Sequence, residues 1–299
     1  MATHISGNWP WPVPGFFSFP PYLFPLHHLY WSRTLNVHFG YCGTYKHLFR
    51  HELQLEIMNG IVAYLLGYKD ETPPSKLLDM GCGYGATVSR LLGFFPNATI
   101  TGINNDEAQL KVAKERLATS KYSERAAFLL TDFQATGFQA DSFDAVYALE
   151  SACFAEGETK SKLLAEAERV LRPGGKLVMV DGFRKHGWAL PKPIDWLYRK
   201  SLAAWGIPSL APIDGFVVEL KAYGFTKITV KDISWNILPS LAHFPVTAMK
   251  LFFFHLVEND REQLRYIHAL LLTLSLSPFK RHFGYYSVTC VKSAVELKN

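Results

Sequence analysis

Asp79-Met-Gly-Cys-Gly-Tyr-Gly85 concentrates the chemistry of this chain: one carboxylate, followed by glycines at positions 81, 83 and 85. Without Cβ atoms, Gly81, Gly83 and Gly85 let the chain turn sharply and let a ligand lie against bare backbone. The apolar run ahead of Asp79 reads as a buried strand. Its carboxylate then falls at the carboxyl end of that strand, where open α/β sheets bind their ligands. The spacing departs from the G-x-G-x-x-G of a pyrophosphate-binding turn. An acidic residue aimed into the turn repels a diphosphate and suits an ammonium group. A dinucleotide site and a glycine-rich turn that binds nothing are the competing readings.

The run resembles the first motif, D/E-x-G-x-G-x-G, of class I S-adenosylmethionine-dependent methyltransferases. The resemblance implies that S-adenosylmethionine is the cofactor, held by Asp79, Gly81, Cys82, Gly83 and Gly85. A second strand over residues 98–103 is followed by Asn104, Asn105, Asp106 and Glu107, then a helix over 109–118. Most relatives place an acidic residue near 104 to take the ribose hydroxyls. Asn104 offers an uncharged amide oxygen instead, and Asn105 and Gln109 join it as cofactor candidates. Residues 127–130 lead into Thr131-Asp132-Phe133, which resembles the family's adenine site. Asp132 there takes the exocyclic amine and Phe133 covers the ring, unless Phe133 is simply core.

These residues need a scaffold. A fourth strand over 143–149 ends in Glu150-Ser-Ala-Cys-Phe-Ala155, a helix covers 159–170, Arg172-Pro-Gly-Gly175 stops it, and 176–180 forms a near-continuously apolar fifth strand. Four strand-helix units in succession imply a doubly wound sheet with right-handed crossovers. Strands at 227–233 and 284–291 complete a Rossmann-like seven-stranded methyltransferase sheet, the last strand running antiparallel in this family. The division expected is an aromatic arm and lid helix over 1–70 and a core over 71–299. Insertions at about 185–215 and 236–280, rich in Trp, Phe and Leu, form a hydrophobic substrate cap. Their helices fall at about 239–257 and 261–276.

Composition agrees with an enlarged, greasy enzyme: of 299 residues 48% are hydrophobic, 14% aromatic and only 19% charged. The net charge of +5 is spread without a basic stripe, so nucleic-acid partners are not expected. The four cysteines are far apart, which indicates neither a disulfide framework nor a zinc site and points to a reducing, cytoplasmic compartment. No metal is expected. Residues 9–26 are the oddest stretch: Trp and Phe interleaved with proline, without the basic start of a signal peptide. Proline recurs too often for a membrane-spanning helix. The segment closes a lid over a greasy pocket, dips into lipid headgroups as a peripheral contact, or packs on its own core or a second copy in a homo-oligomer.

A strip at 36–43 precedes a helix over about 46–66, where related enzymes carry aromatics touching the sulfonium. Tyr41 is the candidate there. His38 is a base or a structural histidine, and Glu150, at the end of strand four, is a base or a countercharge. Tyr45, Phe154 and Trp235 are candidates for the acceptor pocket. Gly102-Ile-Asn-Asn-Asp-Glu and Tyr147-Ala-Leu-Glu-Ser-Ala-Cys-Phe-Ala resemble the Gly-Leu-Asn-Asn-Asn and Tyr-Ala-Ile-Glu-Ala-Thr-x-His-Ala segments of sterol C-methyltransferases. The sequence departs at Phe154, where those enzymes have histidine. The resemblance implies carbon methylation of an alkene in an isoprenoid or sterol-like hydrophobic molecule. O- or N-methylation of an aromatic or polyketide metabolite is the alternative, and a non-catalytic binding protein that keeps the cofactor fold is the third.

Overall fold

The computed structural model describes residues 31–258 and 261–294, so the aromatic segment over 9–26 lies outside the described residues. A short turn of helix at Tyr45–His47 leads to α1 (His51–Leu66), and the sheet then begins with β1 (Lys76–Met80). The chain continues through α2 (Ala86–Phe94), β2 (Thr99–Asn104), α3 (Glu107–Ala118), β3 (Ala126–Leu130) and β4 (Phe143–Leu149). After these come α4 (Ser161–Val170), β5 (Leu171–Arg184), α5 (Lys192–Trp205), α6 (Ile213–Ala222) and β6 (Phe225–Asp232). The last elements are α7 (Ser234–Leu241), α8 (Phe244–Glu258), α9 (Arg261–Leu276) and β7 (Phe283–Lys292).

The strands form one sheet in the order β3-β2-β1-β4-β5-β7-β6. β1 to β5 are parallel, and β7 runs antiparallel between β5 and β6. Successive strand side chains point to opposite faces, so the sheet divides the interior in two. Leu77, Ile100, Tyr147, Val178 and Val180 enter one cluster with α1 and α2. Leu78, Met80, Ile103, Val146 and Met179 enter the other with α4 and α6. Burial on both faces is why β1 and β5 read as unbroken apolar runs.

Three expectations change on folding. The helix assigned to a lid is instead a wall of the core: Leu55, Met58, Val62, Ala63 and Leu66 of α1 are buried in the first cluster. Its amphipathic stripe pairs with the sheet, which buries more apolar surface than a lid would. The helix expected over 239–257 is two, α7 and α8, because Pro245 is pre-organised to begin a helix and supplies no N–H to continue one. The helix before 172–175 stops at Val170 as expected, but β5 begins at Leu171 instead of 176, with 172–175 a bulged excursion: Leu171 pairs with Phe143 and Lys176 with Ala145, bracketing the glycines.

The glycine turn is held from below. Gly81 and Cys82 both donate their N–H groups to the Ile103 carbonyl at 3.0 and 2.9 Å, which hangs the turn from the end of β2. Gly81 and Gly85 lie at φ of 105° and 72°. A Cβ at Gly85 would sit 2.5 Å from the Phe128 ring. Left-handed backbone and a core clash together set the expected cost of Gly85→Ala at about 2–4 kcal/mol, read from the midpoint of denaturant unfolding. An unchanged midpoint would show that the turn relaxes freely.

Candidate active site

The carboxyl ends of β1, β4 and β5 each present an acid. Asp79 is buried on β1, and desolvation pushes its carboxyl up to about 7, against a smaller downward pull from the Tyr147 hydroxyl. Asp181 on β5 accepts N–H groups from Cys153 at 2.9 Å and Gly182 at 2.7 Å, yet burial still raises it to about 6. Glu150 follows β4. Its backbone is left-handed at φ 52°, a conformation that costs a non-glycine residue of order 1 kcal/mol or more. Its Oε1 accepts the Phe39 N–H at 2.5 Å and the Tyr285 hydroxyl. Burial drives the Glu150 carboxyl up to about 8, with Asp181 adding to the rise and its two donors opposing it.

The strip before α1 closes over this edge. Tyr41 donates its N–H to the Gln54 carbonyl at 2.8 Å, and Gly40 donates to Ser240 Oγ at 2.8 Å. Cys42 and Asn236 exchange two hydrogen bonds, at 2.8 and 3.1 Å. The Tyr41 ring is partly buried against the first cluster. Phe39 stacks edge-on with Tyr285 at 5.9 Å and tilts against Phe244 at 5.5 Å, so aromatic rings surround the group that holds Glu150. His38 is buried deeper. Its Nδ1 meets the Phe39 carbonyl at 2.9 Å, and its Nε2 meets the amide oxygens of Asn36 and Asn59, each at 3.1 Å. Burial lowers it to about 4, so it is a neutral anchor of the strip, and the reading as a base gives way to the structural one.

The cofactor candidates gather at the neighbouring strand ends. A Cβ on Gly83 would meet only Val37 at 3.3 Å and the Gln109 amide at 3.6 Å, so its backbone is approachable. Asn104 donates to Gln109 Oε1 at 2.9 Å and accepts from the Asn105 N–H at 2.9 Å, forming an amide pair at the end of β2. Asn105 is exposed beside it. Asp132 is exposed after β3, its Oδ1 taking the Gln134 N–H at 2.8 Å. Phe133 is half-buried against the second cluster, between the two readings. A desolvated carboxyl, a bare turn, an amide pair and an exposed carboxylate on successive strands fit an ammonium, a ribose and an adenine in that order. Cys82 contributes backbone: its thiol is buried, and burial holds it well above the ordinary range.

The three acceptor-pocket candidates are more dispersed. Tyr45 is 83% exposed and Trp235 is 73% exposed, flanking the Cys42–Asn236 pairing, and Lys280 lies 3.1 Å over the Trp235 ring. Phe154 sits on a separate turn, Ala152–Phe154. That turn is braced by Lys160, which sequence reading missed. Its buried ammonium donates to the carbonyls of Cys153, Ala155 and Ser209 at 3.2, 2.7 and 2.8 Å. Tyr147, Asp181 and Tyr285 were missed too. Only the pairing of β7 against β5 could bring Tyr285 to Glu150, 135 residues away. A hollow of about 330 Å³ beside Lys76, Thr99 and Ser142 lies at the opposite, amino-terminal edge of the strands, away from all of these groups.

A doubly wound sheet with its last strand antiparallel and an acid ahead of a glycine turn defines a class I S-adenosylmethionine-dependent methyltransferase fold. Residues 78–179 match the methyltransferase domain family. Among curated relatives, cycloartenol-C-24-methyltransferase of Arabidopsis thaliana is 28% identical over 68% of this chain and 58% of its own length. The O-methyltransferase cnsE of Penicillium expansum is 31% identical over 58% of this chain and 60% of its own. The chain therefore matches little more than half the length of either relative. Among solved structures, the [4+2]-cyclase SpnF superimposes with a TM-score of 0.72 at 20% identity, covering 92% of this chain and 94% of that one.

Cofactor binding should depend on pH through Asp79. An ammonium is attracted to the ionised carboxylate, and this carboxyl is protonated below about 7. Affinity for S-adenosylmethionine is therefore expected to rise with pH toward about 7, by up to ~tenfold per unit well below it, and to level off above. Isothermal titration in buffers of different ionisation heat checks this through proton release. Asp79→Ala should bind weakly at every pH, and a flat wild-type profile would remove Asp79 from the contact.

Proposed function

We propose that this protein methylates a carbon of an alkene in an isoprenoid or sterol-like molecule, with Glu150 as the group that receives the proton. The observation that carries the reading is Glu150 itself: a buried carboxyl on a strained backbone, held by Phe39 and Tyr285 among aromatic rings. Such strain persists only where the surroundings enforce it, and it clusters at functional sites. The cycloartenol relative supports the choice of acceptor.

S-adenosylmethionine supplies a methyl group already activated by a positive sulfur, so this chain's work is alignment, exclusion of water and handling of charge. Asp79 and the glycine turn bind and orient the methionine end, and Asn104 and Asp132 the nucleoside. An alkene that gains a methyl group is left as a carbocation. The rings of Phe39 and Tyr285 present π-faces to such a cation. Ionised Glu150 opposes its charge and then takes a proton from the adjacent carbon, restoring a double bond. Positive charge beside Glu150 favours its ionised form and so offsets the desolvation that holds it near 8.

A second reading is O-methylation, supported by the relative named an O-methyltransferase. There Glu150 would take the proton of an acceptor hydroxyl. Incubation with deuterium-labelled cofactor and a panel of isoprenoids, sterols and phenols, followed by mass spectrometry and fragmentation, separates a carbon–methyl from an oxygen–methyl product. Glu150→Gln is expected to keep cofactor affinity while losing roughly 10²–10⁴ in turnover, the usual contribution of a general base. For the wild type, kcat/KM should climb with pH to a plateau above about 8, since the base must be ionised in the free enzyme. Normal turnover in Glu150→Gln would falsify its role.

A further inference from the structure

Arg116, in the last turn of α3, ties the glycine turn to the segment that leads into the Phe39 strip. Its Nη1 donates to the Tyr84 carbonyl at 3.3 Å, and its Nη2 donates to the Thr34 carbonyl at 3.1 Å. Tyr84 stands between Gly83 and Gly85, 32 positions before Arg116, whereas Thr34 lies 82 positions before it. Both carbonyls belong to turns, outside any helix or strand. A guanidinium suits this task because its donors form a planar fork that reaches two acceptors at once, where an ammonium is a point charge.

The turn that Arg116 grips is also held by α1. Glu52 accepts the Arg33 N–H at 2.6 Å and the hydroxyls of Ser32 and Thr34 at 3.3 and 3.2 Å. Leu35, next in the chain, is buried with its backbone at φ 65°. A bulky side chain avoids that left-handed conformation unless its surroundings enforce it. Two residues further on, Val37 approaches the glycine turn so closely that a Cβ on Gly83 would sit 3.3 Å from its methyl group. A second tie lies alongside. Asn59 donates to Asn36 Oδ1 at 3.0 Å, and Thr87, in the first turn of α2, donates to Asn59 Oδ1 at 3.1 Å. The 32–37 segment is therefore bound to the glycine turn itself and to the helix that follows it.

We propose that Arg116 is a positioning residue for the cofactor: it clasps the 32–37 segment to the glycine turn and so closes that segment over the methionine end of S-adenosylmethionine. That role rests on the cofactor reading of the glycine turn and is independent of the acceptor. A ligand lying along the bare backbone of Gly81 and Gly83 lies beside Val37, and the segment must lift for it to leave. Lifting breaks the bond from Arg116 to Thr34, so the guanidinium governs how fast the cofactor departs. The clasp also steadies the strip beyond it, where Phe39 donates to Glu150. Closure of this kind keeps water from the reacting groups.

The test follows the departure of radiolabelled S-adenosylmethionine from the full chain, chased with excess S-adenosylhomocysteine. Arg116→Met is expected to release the cofactor about tenfold faster, with an association rate within about twofold of wild type. Arg116→Lys, which can reach one carbonyl, should fall between the two. A residue that served the fold alone would lower the unfolding midpoint without this split between the two rates. Trypsin gives a second readout at exposed Arg33 in the clasped turn. Bound cofactor should slow cleavage after Arg33 at least ~tenfold in the wild type and much less in Arg116→Met. If Arg116→Met fails to fold, Glu52→Gln, which loosens the same turn from α1, is expected to speed release several-fold. Equal release rates in wild type and the folded variants overturn the proposal and leave the cofactor assignment standing. So does cleavage at Arg33 that bound cofactor leaves unchanged in the wild type. Wild type that binds no S-adenosylmethionine removes that assignment itself, and the clasp with it.

Discussion

Three carboxyls held out of water on three adjacent strands govern this site. β1, β4 and β5 are neighbours in the sheet, and each ends near an acid: Asp79, Glu150 and Asp181. Taking a carboxylate out of water costs several kcal/mol unless something compensates. Asp181 is compensated in part by two N–H donors and Glu150 by one N–H and one hydroxyl, but burial still wins at all three, and each is raised above its ordinary range. Such an edge is poorly matched to a diphosphate and well matched to a ligand carrying positive charge. S-adenosylmethionine carries it twice, on the ammonium and on the sulfur.

Holding the acids in place takes long-range contacts. Glu150 is gripped by a residue 111 positions earlier and one 135 positions later. The strip that supplies Phe39 is itself fixed by His38 against Asn36 and Asn59, and by Gly40 against Ser240 of α7. The strip lies so close that a Cβ on Gly40 would sit 2.4 Å from that of Gln54. The strained φ at Glu150 is thus supported from the strip, from β7 and from β5, where the Val180 carbonyl accepts the Glu150 N–H at 2.8 Å. Lys160 performs the matching task one turn later, tying the Phe154 turn to the segment after α5. Its fully buried ammonium is sustained by carbonyl oxygens, which accept its protons without adding a second charge.

α8 carries apolar residues on both its buried and its exposed side. The inward rings of α8 join Trp31 and Phe39 to build an aromatic wall beside the acids. Its outward residues are as apolar as its inward ones, which explains why the hydrophobic periodicity of 244–258 is weak and why a single long helix was expected there. Pro245 is the local signal that divides it.

Much of this protein was legible in the chain alone, because strands buried on both faces must be apolar throughout and turns at their ends must use glycine. The positions of β1 to β5 and the glycine turn after Asp79 follow from such local rules, whereas the cofactor candidates on consecutive strand ends came from the resemblance to the methyltransferase motifs. β4 runs over Phe143–Leu149 as read, and α9 over Arg261–Leu276 as read. Tertiary structure decided the rest. Whether α1 was lid or wall depended on which surface could bury its stripe. Whether His38 was base or anchor depended on Asn59, 21 residues away. The surroundings of Glu150 depended on an antiparallel strand whose register no local pattern encodes, because a side chain's protonation and aim are set by whatever the fold packs against it.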